Sequence, residues 1–256
     1  MRFCLALLVV VSTAASAAAQ DVPRPPRRSA PDFLFNKPRG SITVRGSWLF
    51  ARSGSDWYDF VTDQLTLERK DFNVPGFGFD VNAPIAPRLE AGFSFDFNRS
   101  NRQSEYRDWL DNNRRPIQQT TTLQEMNFSG NVRYALLERG RQVSNLVWVP
   151  RTIVPFVGAG VGAFHYKLEQ IGDFVDFQDL SVFSNFFASD GWTPSAQVFG
   201  GVDVRVFKHV AVTVDGRFLW AAAELGRDWV DFKPIDLAGF RMSGGVNFIF
   251  CCVICE

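Results

Sequence analysis

Apolar and polar residues alternate with a period of two through most of the chain after residue 39. The alternation is cleanest in residues 88–98, where Leu89, Ala91, Phe93, Phe95 and Phe97 share one phase and polar or small residues the other. Successive side chains of a β-strand point to opposite faces, so this period predicts strands. Eight such stretches follow one another: residues 40–52, 70–81, 88–98, 122–136, 152–169, 195–206, 210–222 and 235–250.

Two of the eight stretches are irregular. Pro75 interrupts residues 70–81, and a proline there favours a bulge over a regular ladder. Residues 152–169 contain Gly158-Ala159-Gly160-Val161-Gly162. A phosphate-binding loop needs its glycines between a strand and a helix, and no amphipathic helix follows here, so we interpret this stretch as a strand.

The phase of that glycine-rich strand predicts an unusual orientation. The glycines share their phase with Phe156, Phe164 and Tyr166, which places them on the outer face. Val157, Val161 and His165 would then face the interior. A bulge is the alternative, because it would reverse part of this orientation.

The connections between the stretches alternate in length. Long polar connections cover residues 53–69, 99–121, 170–194 and 223–234, whereas residues 82–87 and 207–209 form short turns and residues 137–151 an intermediate one. Long loops on one side and short turns on the other are typical of outer-membrane β-barrels. This layout predicts that both termini lie on the short-turn, periplasmic side.

The charged residues of the polar phase have both signs, and the basic ones are arginines. They are Arg45, Glu90, Asp96, Glu125, Arg133, Asp203, Arg205, Asp215, Arg217 and Arg241. Arginine suits bidentate ion pairs in a confined space. We therefore predict that the polar phase lines a lumen and the apolar phase faces lipid. The alternative is a soluble β-barrel, in which the polar phase meets water.

Eight strands predict an all-β fold, an eight-stranded antiparallel up-and-down transmembrane β-barrel. Closure leaves no unpaired edge in the membrane, and a barrel of this size is only wide enough for side chains to fill it. The predicted ion pairs therefore favour a plugged lumen. A narrow pore for small solutes is the rival interpretation.

Composition excludes few functions. Lys and Arg total 27, as do Asp and Glu, so no net charge indicates a nucleic-acid partner. Residues 1–19 have the basic start, apolar run and small-residue end of a secretory signal peptide. Residues 20–39 are rich in proline and arginine, which predicts a flexible segment before a barrel domain over residues 40–250.

Two segments resemble a known family. Pro155-Phe156-Val157-Gly158-Ala159-Gly160-Val161-Gly162 and the final strand from Gly244 to Phe250 resemble those of the small eight-stranded outer-membrane β-barrels, the family of the outer-membrane protein A transmembrane domain and its X- and W-type relatives. The resemblance implies a bacterial outer-membrane protein that contacts lipid and is inserted by the barrel-assembly machinery. It also implies a role in envelope integrity or surface interaction, with no peptidoglycan-binding domain following.

The tail at residues 251–256 departs from that family, in which the final aromatic residue ends the chain. Cys251, Cys252 and Cys255 follow Phe250. In an oxidising compartment they favour a disulfide, Cys252 with Cys255, or an intermolecular one. A metal site would lack a fourth ligand, so we expect neither a metal nor another cofactor.

The third long connection and the end of the strand before it hold the remaining candidate residues. Its aromatic residues predict a contact surface for a partner: Phe174, Phe177, Phe183, Phe186, Phe187 and Trp192. His165 with Asp173, Asp176 or Asp179 would be the only candidate for a lipid-modifying enzyme. We favour a rim histidine beside solvated acids, and expect no catalysis.

Overall fold

The structure is a computed structural model and describes residues 33–111, 113–144, 147–176 and 179–251. The predicted signal peptide, the predicted Cys252–Cys255 disulfide and most of the proline- and arginine-rich segment lie outside these residues.

The described chain forms a closed antiparallel ring of eight strands. They are β1 (Gly40–Ala51), β2 (Pro75–Pro84), β3 (Leu89–Leu110), β4 (Pro116–Ala135), β5 (Ile153–Val175), β6 (Val182–Phe207), β7 (Val210–Ala223) and β8 (Gly239–Phe250). Each strand pairs with the next along the chain, and β8 closes the ring on β1, from Gly40 opposite Phe250 to Ala51 opposite Gly239. The predicted fold class is confirmed.

Short elements occupy the two ends of the ring. At the end with the long connections lie helix α1 (Asp56–Gln64), the 3₁₀ helices Arg69–Phe72 and Arg227–Trp229, and the short strand Ile235–Asp236. At the short-turn end, Leu34–Phe35, Gly140–Ser144 and Val147–Pro150 form a separate three-stranded sheet. No helix in the described ranges has the length and apolar character needed to cross a membrane.

Two predicted long loops are β-structure instead. β3 and β4 pair regularly as far as Glu105 opposite Gln118 and, after an irregularity, again at Leu110 opposite Pro116. β5 and β6 pair as far as Val175 opposite Val182, so residues 99–121 and 170–194 belong mostly to protruding hairpins. In residues 99–121 polar residues occupy both phases, for example Arg102, Gln103 and Thr121. In residues 170–194 apolar residues such as Phe174 and Val175 fall in both phases, so neither segment shows a period of two. The predicted strand ends of these four strands were therefore wrong.

Pro75 does not create the predicted bulge in β2. It is the first residue of the strand, where the missing N–H leaves no gap in the ladder, and residues 70–72 belong to a 3₁₀ helix. The last strand also begins later than predicted, at Gly239.

Most strands turn their apolar phase outward, as predicted. In β1, Val44 and Trp48 are exposed, whereas Thr43 and Arg45 are 1–2 % exposed and face the lumen. This arrangement is the reverse of a soluble barrel, whose polar phase meets water.

The facing of β5, which the sequence left open, is the reverse of the one that its phase suggested. Phe156, Phe164 and Tyr166 are buried in the lumen, while Val161 is 71 % exposed on the outside. The glycines therefore face inward, where they make room for neighbouring side chains. A Cβ on Gly158 would lie 2.5 Å from Cε2 of Phe199 and 2.7 Å from the carbonyl oxygen of Val132.

We predict that Gly162→Ala destabilises the barrel while Gly130→Ala does not. An added Cβ at residue 162 would meet the backbone of β4, including the Ser129 Cα at 2.7 Å, whereas nothing lies within 4 Å at residue 130. Overpacking of this kind costs about 1–3 kcal/mol. The measurement is the temperature at which the compact, fast-migrating form is lost in gel samples. Equal temperatures for the two variants would contradict the inward orientation of β5.

Candidate functional site

The middle of the lumen contains a cluster of arginines and carboxylates. Nε of Arg45 lies 3.0 Å from Oδ2 of Asp80, and its Nη1 lies 2.8 Å from Oδ1 of Asp96. Nη2 of Arg217 reaches the same Asp80 oxygen at 2.8 Å. One carboxylate on β2 thus joins arginines on β1 and β7, across the width of the barrel.

Arg217 has further partners in this central cluster. Its Nε donates to Oδ1 of Asp215 at 2.8 Å, and its guanidinium lies 4.8 Å from the ring centroid of Phe199. Asp215 also accepts a hydrogen bond from Ser243 at 2.8 Å. Several directional contacts on one guanidinium hold its plane in a single orientation.

Two smaller groups of ion pairs lie towards the ends of the lumen. Near the short-turn end, Arg133 contacts Asp203 and its Nε lies 3.9 Å from Oε2 of Glu90, which also contacts Arg139. The Arg133 guanidinium lies 3.4 Å from the Phe156 ring centroid. A separate contact joins Nη2 of Arg241 to Oε2 of Glu125 at 3.4 Å, nearer the long connections.

These side chains leave almost no free space at mid-lumen. A cavity of about 10 Å³ lies among residues that include Asp80, Arg133, Phe199 and Arg217. Such a volume is on the order of one water molecule. The middle of the barrel is therefore filled by side chains.

The end with the long connections is closed by an apolar cluster. Trp57, Tyr58 and Val61 of α1 are almost fully buried against lumen-facing residues of the strands, among them Phe164 and Leu168. Trp57 packs edge-on against Trp229 in the connection between β7 and β8, with centroids 6.1 Å apart. Burial raises the pKa of Tyr58 well above its usual value, so its phenol stays protonated.

Sequence reasoning missed this closure. The many charged residues of residues 53–69 led to the prediction of a polar loop. In the structure, however, Trp57, Tyr58 and Val61 share one face of α1. Their spacing of one and three positions is the helical signal that was available.

The structure places nine of the ten predicted lumen residues in ion pairs. The tenth, Arg205, lies at the short-turn mouth, where it contacts the backbone carbonyl of Lys208. Two further residues of these ion pairs were not predicted from the sequence. Asp80 alternates correctly with Phe79 and Val81, in a stretch made uncertain by Pro75, and Arg139 lies in a predicted connection.

The predicted aromatic contact surface divides into two parts. Phe174 and Phe187 pack against each other at 4.6 Å between centroids and are wholly or partly buried. Phe183, Phe186 and Trp192 are exposed. Phe177 lies outside the described residues.

His165 does not meet the predicted acids. It packs against Trp192 on the outer surface, with centroids 4.8 Å apart. Asp173 lies eight positions along the same strand, about 26 Å away at the usual rise, and contacts Ser184. Across the part of the chain that the structure describes, no three His, Cys, Asp or Glu side chains are grouped to hold a metal ion.

A belt of exposed apolar side chains surrounds the barrel. On β1 it includes Ile42, Val44, Trp48 and Phe50, and on the other strands it includes Phe77, Phe79, Val81, Phe93, Val132, Val157, Val161, Val198, Val204, Val212, Val214, Trp220, Phe240, Met242, Val246 and Phe248. Exposed polar residues such as Arg99 and Asp190 begin where the hairpins protrude. Nine residues of tilted strand, as on β1, match the length that crosses a hydrocarbon core.

Solved structures with a similar fold come from several bacteria. Neisserial surface protein A has 12 % identity, a TM-score of 0.46, and coverage of 82 % of this chain and 97 % of its own. The outer membrane protein OprG of Pseudomonas aeruginosa has 11 % identity, a TM-score of 0.47, and coverage of 86 % and 100 %. The attachment invasion locus protein Ail of Yersinia pestis has 12 % identity, a TM-score of 0.43, and coverage of 83 % and 99 %.

No family model and no curated protein matches the chain. Because these TM-scores lie below 0.5, the similarities carry no functional argument. The fold assignment rests on the ring of strands itself.

We predict that Arg45→Met destabilises the protein by about 3–5 kcal/mol, because it leaves Asp96 and part of Asp80 buried without a counter-charge. The control is Arg69→Met, which breaks an ion pair with Asp59 in which both side chains are more than half exposed. Exposed pairs contribute little, so that variant should resemble the wild type. Urea unfolding of the two variants in the same detergent measures the difference, and equal midpoints would show that the lumen pairs are not needed for stability.

Proposed function

We propose that this protein is an integral outer-membrane β-barrel with a plugged lumen, which serves envelope integrity or surface interaction through its protruding hairpins. The observation that carries this proposal is the reversed distribution of side chains. Apolar residues surround the outside of a barrel whose interior holds ion pairs such as Arg45 with Asp80 and Asp96.

Water is an unfavourable solvent for such a surface. Soluble monomers rarely expose contiguous apolar patches larger than a few hundred Å². Here the exposed apolar residues lie on all eight strands. A lipid bilayer solvates this belt, and the closed ring leaves no unpaired strand edge within it.

The filled lumen supports a plug rather than a pore. The central arginines and carboxylates are buried and paired, and the α1 cluster closes one end. A solute would have to separate these ion pairs to pass, and an unpaired charge in a confined space is costly.

The protruding hairpins support a role at the cell surface. From Arg99 to Leu110, β3 continues past the belt for roughly 30–40 Å at the usual rise of a strand. The other hairpin, between β5 and β6, carries exposed Phe183 and Phe186. Aromatic side chains are enriched at the centres of protein interfaces. We propose no catalytic role, since His165 lies apart from the acids of this hairpin.

Cysteine labelling tests both the membrane and the orientation. In a background with Cys251, Cys252 and Cys255 changed to serine, we expect a membrane-impermeant maleimide to label Leu180→Cys on intact cells. It should label Lys208→Cys only after the outer membrane is permeabilised, because the two sites lie at opposite ends of the barrel. Labelling of Lys208→Cys alone on intact cells would reverse the orientation, and labelling of neither after membrane lysis would contradict exposure of these turns.

Planar bilayer recording separates a plugged barrel from a pore. We expect the purified protein to insert without steady conductance, because the ion-paired cluster and the α1 cluster occlude the lumen. A known porin reconstituted in the same way is the positive control. Reproducible unitary currents would contradict the plugged lumen and favour a narrow pore.

A further inference from the structure

A pocket opens at the short-turn end of the lumen. Its volume is about 60 Å³, and it is bounded by the ends of several strands and by Trp148 of the three-stranded sheet. Four cationic residues line this mouth pocket: Lys37, Arg139, Arg151 and Arg205. Two acids, Glu90 and Asp203, line it as well.

Both acids of the mouth pocket already have arginine partners. Asp203 contacts Arg133 and accepts a hydrogen bond from Thr213 at 2.8 Å. Glu90 contacts Arg139 and also faces Arg133. Because Arg133 belongs to the lumen and takes much of this negative charge, the mouth pocket retains a surplus of positive charge.

Lys37, Arg151 and Arg205 have no carboxylate partner among the described residues. Arg205 donates a hydrogen bond to the carbonyl oxygen of Lys208, and Asp203 acts on its charge from beyond ion-pair distance. Lys37 lies 5.8 Å from the ring centroid of Trp148. None of these contacts is an ion pair with a carboxylate.

Several buried donors around the mouth pocket also lack an acceptor in the described part of the chain. They are Nε and Nη2 of Arg139, Nε of Arg205 and Nε1 of Trp148. A buried donor without an acceptor costs free energy, more so when it is charged. Burial, the largest influence on Arg139, lowers its pKa and Arg133 acts in the same direction, although Glu90 opposes both.

From these observations we propose that the mouth pocket binds a small oxyanion, a phosphate or carboxylate group, held mainly by Arg205 and Arg139. Such a group offers several acceptor oxygens to the planar guanidinium N–H groups. It also neutralises the surplus charge, which a water molecule would leave in place. The proposal goes beyond the membrane function and does not depend on it.

The test is calorimetric titration of the folded protein in detergent, with inorganic phosphate in one arm and citrate in the other. We expect saturable binding in at least one arm, and the stronger arm identifies the preferred group. Arg205→Gln should weaken it roughly tenfold, the effect of losing one charge-assisted hydrogen bond. Arg205 is chosen because its removal leaves no acid without its partner.

Two further variants keep the test decisive. Trp148→Phe removes the indole donor but keeps an aromatic ring, and should weaken binding less than Arg205→Gln. Arg69→Gln makes the same charge change near α1, at the other end of the barrel, and should bind like the wild type. Heat-dependent gel mobility establishes that each variant is folded. No saturable binding by the wild type, or equal affinity in folded Arg205→Gln and Arg69→Gln, would overturn the proposal.

Discussion

The structure depends on pairing charges inside a barrel too narrow to hold much water. Eight strands set a lumen that side chains span, so a group on one wall reaches the opposite wall. Asp80 on β2 joins Arg45 on the adjacent strand and Arg217 across the lumen. An unpaired charge in this position would cost several kcal/mol. The central ion pairs therefore favour one closed arrangement of these three strands.

Room for these side chains comes from β5. Its glycines face the lumen, where Gly158 lies against Phe199 and Gly160 lies beside Asn131. Phe199 in turn packs on the Arg217 guanidinium. The glycines of β5 thus leave space that side chains of β4 and β6, such as Asn131 and Phe199, occupy. A close-packed interior needs small residues beside large ones.

Sequence periodicity predicts the ring but not all of its extensions. Inside the belt, one face meets apolar surroundings and the other a polar lumen, so the period of two is strong, as in residues 88–98. Beyond the belt, the β3–β4 hairpin is polar on both faces and the β5–β6 hairpin carries apolar residues such as Phe174 and Val175 on both faces, so neither shows the period of two. The orientation of β5 was not predicted because its aromatic residues Phe156, Phe164 and Tyr166 lie in the lumen with the glycines, whereas aromatic residues on most other strands face outward. Asp80 and α1 were not predicted for different reasons. Pro75 made the alternation around Asp80 uncertain, and the charges of residues 53–69 hid the helical spacing of Trp57, Tyr58 and Val61.

The two ends of the lumen are closed by different chemistry. Near the long connections, Trp57, Phe164 and their neighbours exclude water through apolar packing. At the other end, the mouth pocket is open and carries surplus cations, including Arg205. A small polar molecule can approach the ionic cluster only where the wall is polar and space remains. The apolar closure at one end and the mouth pocket at the other lead us to expect that a small polar molecule approaches the ionic cluster from the short-turn end.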